Sequence, residues 1–291
     1  MLRNEIQAKT GLTRKAIEYY EEKGLIKPLK LENGYRDYSD EDLVTLNKIA
    51  LYRKVGFSIN EIEECLSSKG DSLSTILRRK EHRLDIELKR KEVIELMVKK
   101  ENQSIIDDKI ALIETEESIY EKLESAFPGY FGQLIFSAYH PFLNEQLDKE
   151  SLAAYKEFVA YLDSLPTFEL SEKEQAYIEE VSSTYDMKTL KEVNESKIEA
   201  IENSEKWLEE NKDTIAQYQA YKNSDEYLKS PIKSIQDKFQ KYMLDNKYYE
   251  IAIPLIRKFS KSYDEYYQKL LIADKKYLYS KDIKPWELLL V

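Results

Sequence analysis

Between residues 3 and 66 the apolar positions come in short helical stripes, punctuated by glycine and proline. Arg3–Lys9 reads as a first helix with Gly11 in the turn behind it. Thr13 is a good N-cap for a second helix that runs to about Lys23 and stops at Gly24, with Ala16, Ile17 and Tyr20 on one face. Pro28 blocks further helix, and Leu29–Leu31 and Tyr35–Tyr38 predict a hairpin around Glu32-Asn33-Gly34, where Asn-Gly favours positive φ. Ser39 with Asp42 starts another helix, carrying Leu43, Leu46, Ile49 and Ala50 inward. Ser58 with Glu61 forms a capping box ahead of Ile59, Ile62 and Leu66. Two short helices, a hairpin and two more helices spell a winged helix-turn-helix, a layout that sets one helix in a DNA major groove and the wing on the adjacent backbone.

From about Thr75 to Tyr120 the chain has no glycine or proline and is dense in charge. Leu77, Leu84, Lys91, Val98, Ile105 and Leu112 recur every seven residues, and Leu88 and Ile94 supply part of a companion seam. A narrow apolar stripe on one long helix needs a partner helix, which predicts a dimerising coiled coil over 73–118. A long surface helix of the following body is the alternative.

Beyond residue 118 only two glycines occur, Gly129 and Gly132, so the remainder is expected to be all helical. Helices are expected near 150–165, 171–185, 187–211, 212–229, 231–247 and 250–273, with Pro166, Pro231 and Pro254 at breaks or first turns. Ser171 with Glu174 is a further capping box. The least regular stretch is 127–142, an aromatic knot containing Tyr130, Phe131, Phe136, Tyr139, His140 and Phe142. Eighteen of the 23 tyrosines lie between 120 and 279, alongside Trp207 and Trp286. These rings are either core packing or the walls of a cavity for an aromatic or cationic guest, with phenol hydroxyls as adjustable contacts. The organisation expected is therefore a mainly α chain in three parts: 1–72, 73–118 and 119–291.

Charge adds a constraint. The chain carries −10 overall, but residues 1–100 carry +3 and the rest −13. An acidic body repels DNA and confines contact to a local basic surface, so binding should be site-directed and salt-sensitive. Cys65 is the lone cysteine and there are two histidines, leaving little material for disulfides, cysteine-rich metal sites or His/Cys catalysis. No cofactor, metal site or enzymatic activity is expected. The start lacks an apolar leader and no 18-residue apolar run exists, which predicts a cytoplasmic protein with no membrane partner.

The string Gly-Leu-Thr at 11–13, Tyr19-Tyr20-Glu21-Glu22, Gly24-Leu25-Ile26, Gly34-Tyr35-Arg36, Tyr38 and Arg53-Lys54-x-Gly56-Phe57-Ser58 closely resembles the DNA-binding domain of the mercury-resistance-type (MerR) regulators. The resemblance covers about residues 1–70, and the long helix behind it is similar in kind to the antiparallel coiled coil through which these proteins dimerise. It implies a homodimer on double-stranded DNA at a near-palindromic promoter operator. It implies activation by promoter distortion, with RNA polymerase affected indirectly through the bent and untwisted DNA. Carried over by position, Thr13, Arg14 and Lys15 open the recognition helix. Tyr19 and Tyr20 fall on the family's tyrosine pair, one suited to phosphate and the other to the core. Arg36 falls on the wing arginine and Tyr38 on the tyrosine near the wing base, both as DNA-binding candidates by the resemblance, with Arg53 and Lys54 as a backbone-contacting pair. Glu18 departs from the family's arginine before the tyrosines, so it either pairs with a nearby Lys or Arg or changes the operator contacts. The family's metal sensors carry cysteines at the end of the dimerisation helix, and this chain has none there. An organic, drug-like or cationic effector in the tyrosine-rich body is the expectation. A ligand-sequestering protein, or a body that docks another protein, are the alternatives.

Overall fold

The computed structural model describes residues 1–66 and 73–278, with side chains in the last helix as far as Asp274. Trp286 and residues 67–72, at the expected end of the first part, lie outside the described residues. Two compact units emerge, Met1–Ile76 and Leu77–Val291.

The first unit runs α1 (Arg3–Thr10), α2 (Arg14–Glu22), β1 (Leu29–Lys30), β2 (Arg36–Asp37), α3 (Asp40–Lys54) and α4 (Ile59–Leu66). The strands pair antiparallel, Leu29 opposite Asp37 and Lys30 opposite Arg36, with Gly34 at φ 82° supplying the turn. The helix starts follow local chemistry. Ser39 and Asp42 exchange reciprocal bonds at the head of α3, and Ser58 and Glu61 do so ahead of α4. Ile6, Ile17, Tyr20, Ile26, Tyr38, Leu46, Ile49 and Ile62 close over one another as the core of this unit.

The second unit corrects the single long helix. The chain forms α5 (Leu73–Val98) and α6 (Gln103–Ala126), separated at Lys99–Asn102. Lys100 takes φ 58°. The Glu101 N–H reaches back to the Leu96 carbonyl and the Lys100 N–H to that of Met97, a left-handed helix ending built without glycine. The Asn102 side chain then accepts from Ser104 N at 2.9 Å and caps α6. Arg90 pairs with Glu117, Lys89 with Glu116 and Arg79 with Glu124. From Arg90–Glu117 to Arg79–Glu124 the numbers fall on one arm and rise on the other, so the hairpin is antiparallel. It buries Ile86 and Val93 against Ile106 and Ile113, leaving the heptad stripe outside.

The remainder is α7 (Tyr130–Tyr139), a 3-10 turn (His140–Phe142), α8 (Lys149–Ser164), α9 (Glu172–Ser182), α10 (Met187–Glu202), α11 (Ser204–Glu210), α12 (Lys212–Lys222), α13 (Asp225–Leu228), α14 (Pro231–Asp245), α15 (Tyr248–Phe259) and α16 (Lys261–Leu278). Three expected helices are divided: 187–211 at Asn203, 212–229 at Asn223–Ser224, and 250–273 at Ser260. Pro231 occupies the first turn of α14, whereas Pro254 sits inside α15 rather than at a break. The flanking Ala252, Ile253, Leu255 and Ile256 are all buried, so tertiary packing holds that helix through the proline.

Candidate nucleic-acid interface and ligand site

Gly11, at φ 69°, ends α1 and makes the turn into α2. The Thr13 hydroxyl accepts the Ala16 N–H at 3.2 Å and opens α2 as its N-cap. Arg14 and Lys15 stand exposed on the first turn of α2. One turn on, the two tyrosines divide their duties: Tyr19 is 41% exposed and Tyr20 is 6% exposed in the core. Lys15, Tyr19 and Lys23 therefore form an exposed stripe at helical spacing, away from Ile17 and Tyr20. The Lys23 ammonium lies 5.9 Å from the Tyr19 ring centroid.

Glu18 is held by two arginines, Arg14 of α2 at 2.8 Å and Arg3 of α1 at 2.9 Å. The hydrogen bond from Arg14 holds its carboxyl below the usual carboxylate range. In place of the family's arginine there is thus a carboxylate that clamps α1 to α2. On the wing, the Arg36 Nε donates to Glu21 Oε1 at 2.6 Å, which ties β2 to the last turn of α2.

Tyr38 requires a correction. Its ring is 1% exposed, within the core of the unit, and its hydroxyl accepts from Arg3 Nε at 3.5 Å. It supports the wing base from inside and has no surface to offer a phosphate; Tyr20 is likewise core. Arg53 and Lys54 are exposed at the end of α3. Arg53 Nη1 donates to the Phe57 carbonyl at 2.7 Å, bracing the turn that Gly56 makes at φ 83°. Arg3 and Glu21 were not singled out in the sequence; their charge partners across the wing and α1 are the signal, and that is visible only once the elements are placed.

A family profile described as MerR HTH family regulatory protein matches residues 3–69. Residues 3–69 form a MerR-type helix-turn-helix domain. The HTH-type transcriptional regulator CueR of Salmonella typhi is 45% identical over 69 residues, which is 23% of this chain and 50% of that protein. CueR of Yersinia pestis is 42% identical over 65 residues, 22% of this chain and 47% of that protein. The heavy metal-dependent transcription regulator 2 of Rhizobium meliloti (strain 1021) is 42% identical over 64 residues, 22% of this chain and 44% of that protein. The chain spans about half the length of the curated relatives it matches.

In the body, Phe131, Phe136, Tyr139 and Phe142 are all buried in one aromatic core. Phe131 stacks on Phe239 at 5.2 Å, and the Tyr139 and Tyr248 hydroxyls meet at 2.6 Å. Burial pushes both phenols well above their ordinary range. Tyr130 is half-buried beneath the Arg78 guanidinium, 5.3 Å from its ring centroid. Most of the expected ligand residues are thus packed against one another, and the segment is a regular helix rather than an irregular knot. Its corner demands glycine twice. Gly129 takes φ 74°, and a Cβ on Gly132 would run into the Phe127 and Leu123 carbonyls.

Three further features escaped the sequence. Arg78 is fully buried and donates to Gln133 Oε1 at 2.5 Å and to the Tyr185 carbonyl at 2.7 Å. A groove of about 260 Å³ opens between α5 and α6, lined by Val93, Ile94, Ile110 and Ile113 with Arg90 and Glu117. Asp85, Glu116 and His140 bring ligand atoms within 4.8 Å of one another. No described helix is long and apolar enough to cross a membrane.

Proposed function

We propose that the protein is a sequence-specific, DNA-binding transcription regulator that acts as a homodimer on a near-palindromic promoter operator. The observation that carries this reading is the exposed Lys15–Tyr19–Lys23 face of α2, with wing Arg36 fixed beside it by Glu21, in a domain of MerR type. Thr13, Arg14 and Lys15 meet base edges and flanking phosphates; Tyr19, Arg36, Arg53 and Lys54 contact backbone.

Dimerisation is supported by what the hairpin leaves uncovered. Leu77, Leu84, Leu88 and Val98 are 49%, 65%, 61% and 77% exposed along α5, an apolar stripe that a second α5 would cover. Activation follows by promoter distortion, with RNA polymerase responding to realigned DNA, in the cytoplasm.

The tyrosine-rich body is the effector-responsive part, and an organic, drug-like or cationic ligand suits its aromatic walls. Such a ligand has to part rings that are packed together here. A body that docks a protein is the second reading. It is favoured by α11 and α12, which bury no residue and expose Trp207, Tyr218 and Tyr221. Footprinting of the full-length protein across its own promoter region at moderate salt tests the DNA reading. Protection of an inverted-repeat segment is the expected result; even, unpatterned protection contradicts it. A thermal shift with aromatic cations supports the organic ligand over the protein partner.

A further inference from the structure

The chain's two histidines lie in one place. His82 of α5 stacks on Tyr120 at 3.8 Å and meets Phe136 edge-on, while the His140 ring, after α7, is tilted against the same Phe136 ring with centroids 5.5 Å apart. In front of His140 stand two carboxylates from two further elements, Asp85 of α5 and Glu116 of α6. His140 Nε2 is 3.2 Å from Glu116 Oε1 and 4.0 Å from Asp85 Oδ2.

Glu116 Oε1 is buried and faces the imidazole nitrogen, and it has a hydrogen-bond donor there only when that nitrogen carries the ring proton. With Nε2 unprotonated, two lone pairs confront each other, an arrangement that only a cation between them or a proton on the ring relieves. The cation nearest this gap is the Lys89 ammonium. Its Nζ is 2.6 Å from Glu116 Oε2, 2.7 Å from Asp85 Oδ2 and 3.4 Å from His140 Nε2.

We infer that Asp85, Glu116 and His140 form a binding site for a divalent first-row transition ion, whose position the Lys89 ammonium takes in this structure. One imidazole nitrogen and two carboxylates are the donor set that Zn²⁺, Mn²⁺ and Co²⁺ accept, with open positions left for water. Asp85 and Lys89 are 49% and 27% exposed at the side chain. The lysine's flexible stem can swing its head into solvent, and Asp85 can move in to close the sphere. The site joins α5, α6 and the turn after α7, so an ion there would replace the Lys89–Glu116 bridge between the arms of the hairpin. The inference does not depend on the proposed DNA binding, and its test contains no DNA.

The test is titration of the full-length protein with Co²⁺, read by its visible d–d absorption, and with Zn²⁺ by calorimetry. The wild type is compared with Lys89→Met, Asp85→Asn, Glu116→Gln and His140→Ala, each checked for folding by circular dichroism. One ion per chain is expected, with Lys89→Met tightening binding by about tenfold or more as the competing charge is removed. His140→Ala and Asp85→Asn are expected to weaken binding by at least about tenfold through loss of a donor. Asp85 is half-exposed, so its variant decides the matter even if Glu116→Gln does not fold. Absence of stoichiometric binding in both wild type and Lys89→Met, or affinity unchanged in His140→Ala and Asp85→Asn, overturns the inference.

Discussion

Arg36 on the wing and Glu21 on the last turn of α2 form an ion pair of 2.6 Å, with both side chains largely covered. The pair fixes the angle between wing and helix before any DNA arrives. A pre-set wing presents its guanidinium to one phosphate position, and such a contact carries no sequence information. Arg36→Ala is therefore expected to weaken every operator variant to a similar degree and to lower the salt slope of binding by about one. Fluorescence anisotropy at several salt concentrations measures both. A loss that depends on base sequence would show that the wing reads bases.

The exposed α5 stripe yields a second expectation. Leu84→Glu combined with Leu88→Glu puts like charges where two copies of α5 would meet, while touching none of Ile86, Val93, Ile106 or Ile113 that hold the hairpin. The variant should sediment as a monomer with its circular dichroism unchanged, and operator affinity should fall steeply. A variant that stays dimeric places the interface elsewhere.

His82 gives a pH signature. Burial against Tyr120 and Phe136 lowers its pKa from 6.5 to about 4. The folded chain therefore holds the ring neutral where the unfolded chain would take up a proton. Stability is fully present above 6.5, is lost as pH falls from 6.5 towards 4, and changes no further from this group below that. The size is on the order of 3 kcal/mol. Urea unfolding of wild type and His82→Phe across this range should show a shallower pH dependence in the variant. Parallel curves would remove His82 as the cause.

Gly132 is the tightest point of the α6–α7 corner, where its N–H also bonds to the Phe127 carbonyl at 2.8 Å. Gly132→Ala is expected to cost about 1–3 kcal/mol through overpacking, seen as a lower thermal midpoint. An unchanged midpoint would mean the corner can open freely.

How much of this was legible beforehand depends on how local the signal was. In the first unit Thr13, Gly24, Asn33-Gly34, Ser39 and Ser58 each act within three or four residues, and the elements they predicted formed there. The break at Lys99–Asn102 was missed because its signal is weak: a lysine in the left-handed region and an Asn cap, with no glycine or proline. The heptad count was real, but Ile86, Val93, Ile106 and Ile113 formed a second, stronger stripe that closes on itself within the chain. The site residues divide in the same way. Tyr19 and Tyr20 could be assigned to surface and core from helical spacing, whereas burial of Tyr38 depends on α1 lying across it. Asp85, Lys89, Glu116 and His140 come from separate elements, and no spacing rule connects them.

Selection from a pool of random duplexes by the full-length protein tests the central claim most directly. The account predicts enrichment of an inverted repeat with two half-sites, one for each α2 of a dimer. Enrichment of a single unrepeated site, or of no sequence at all, would contradict it.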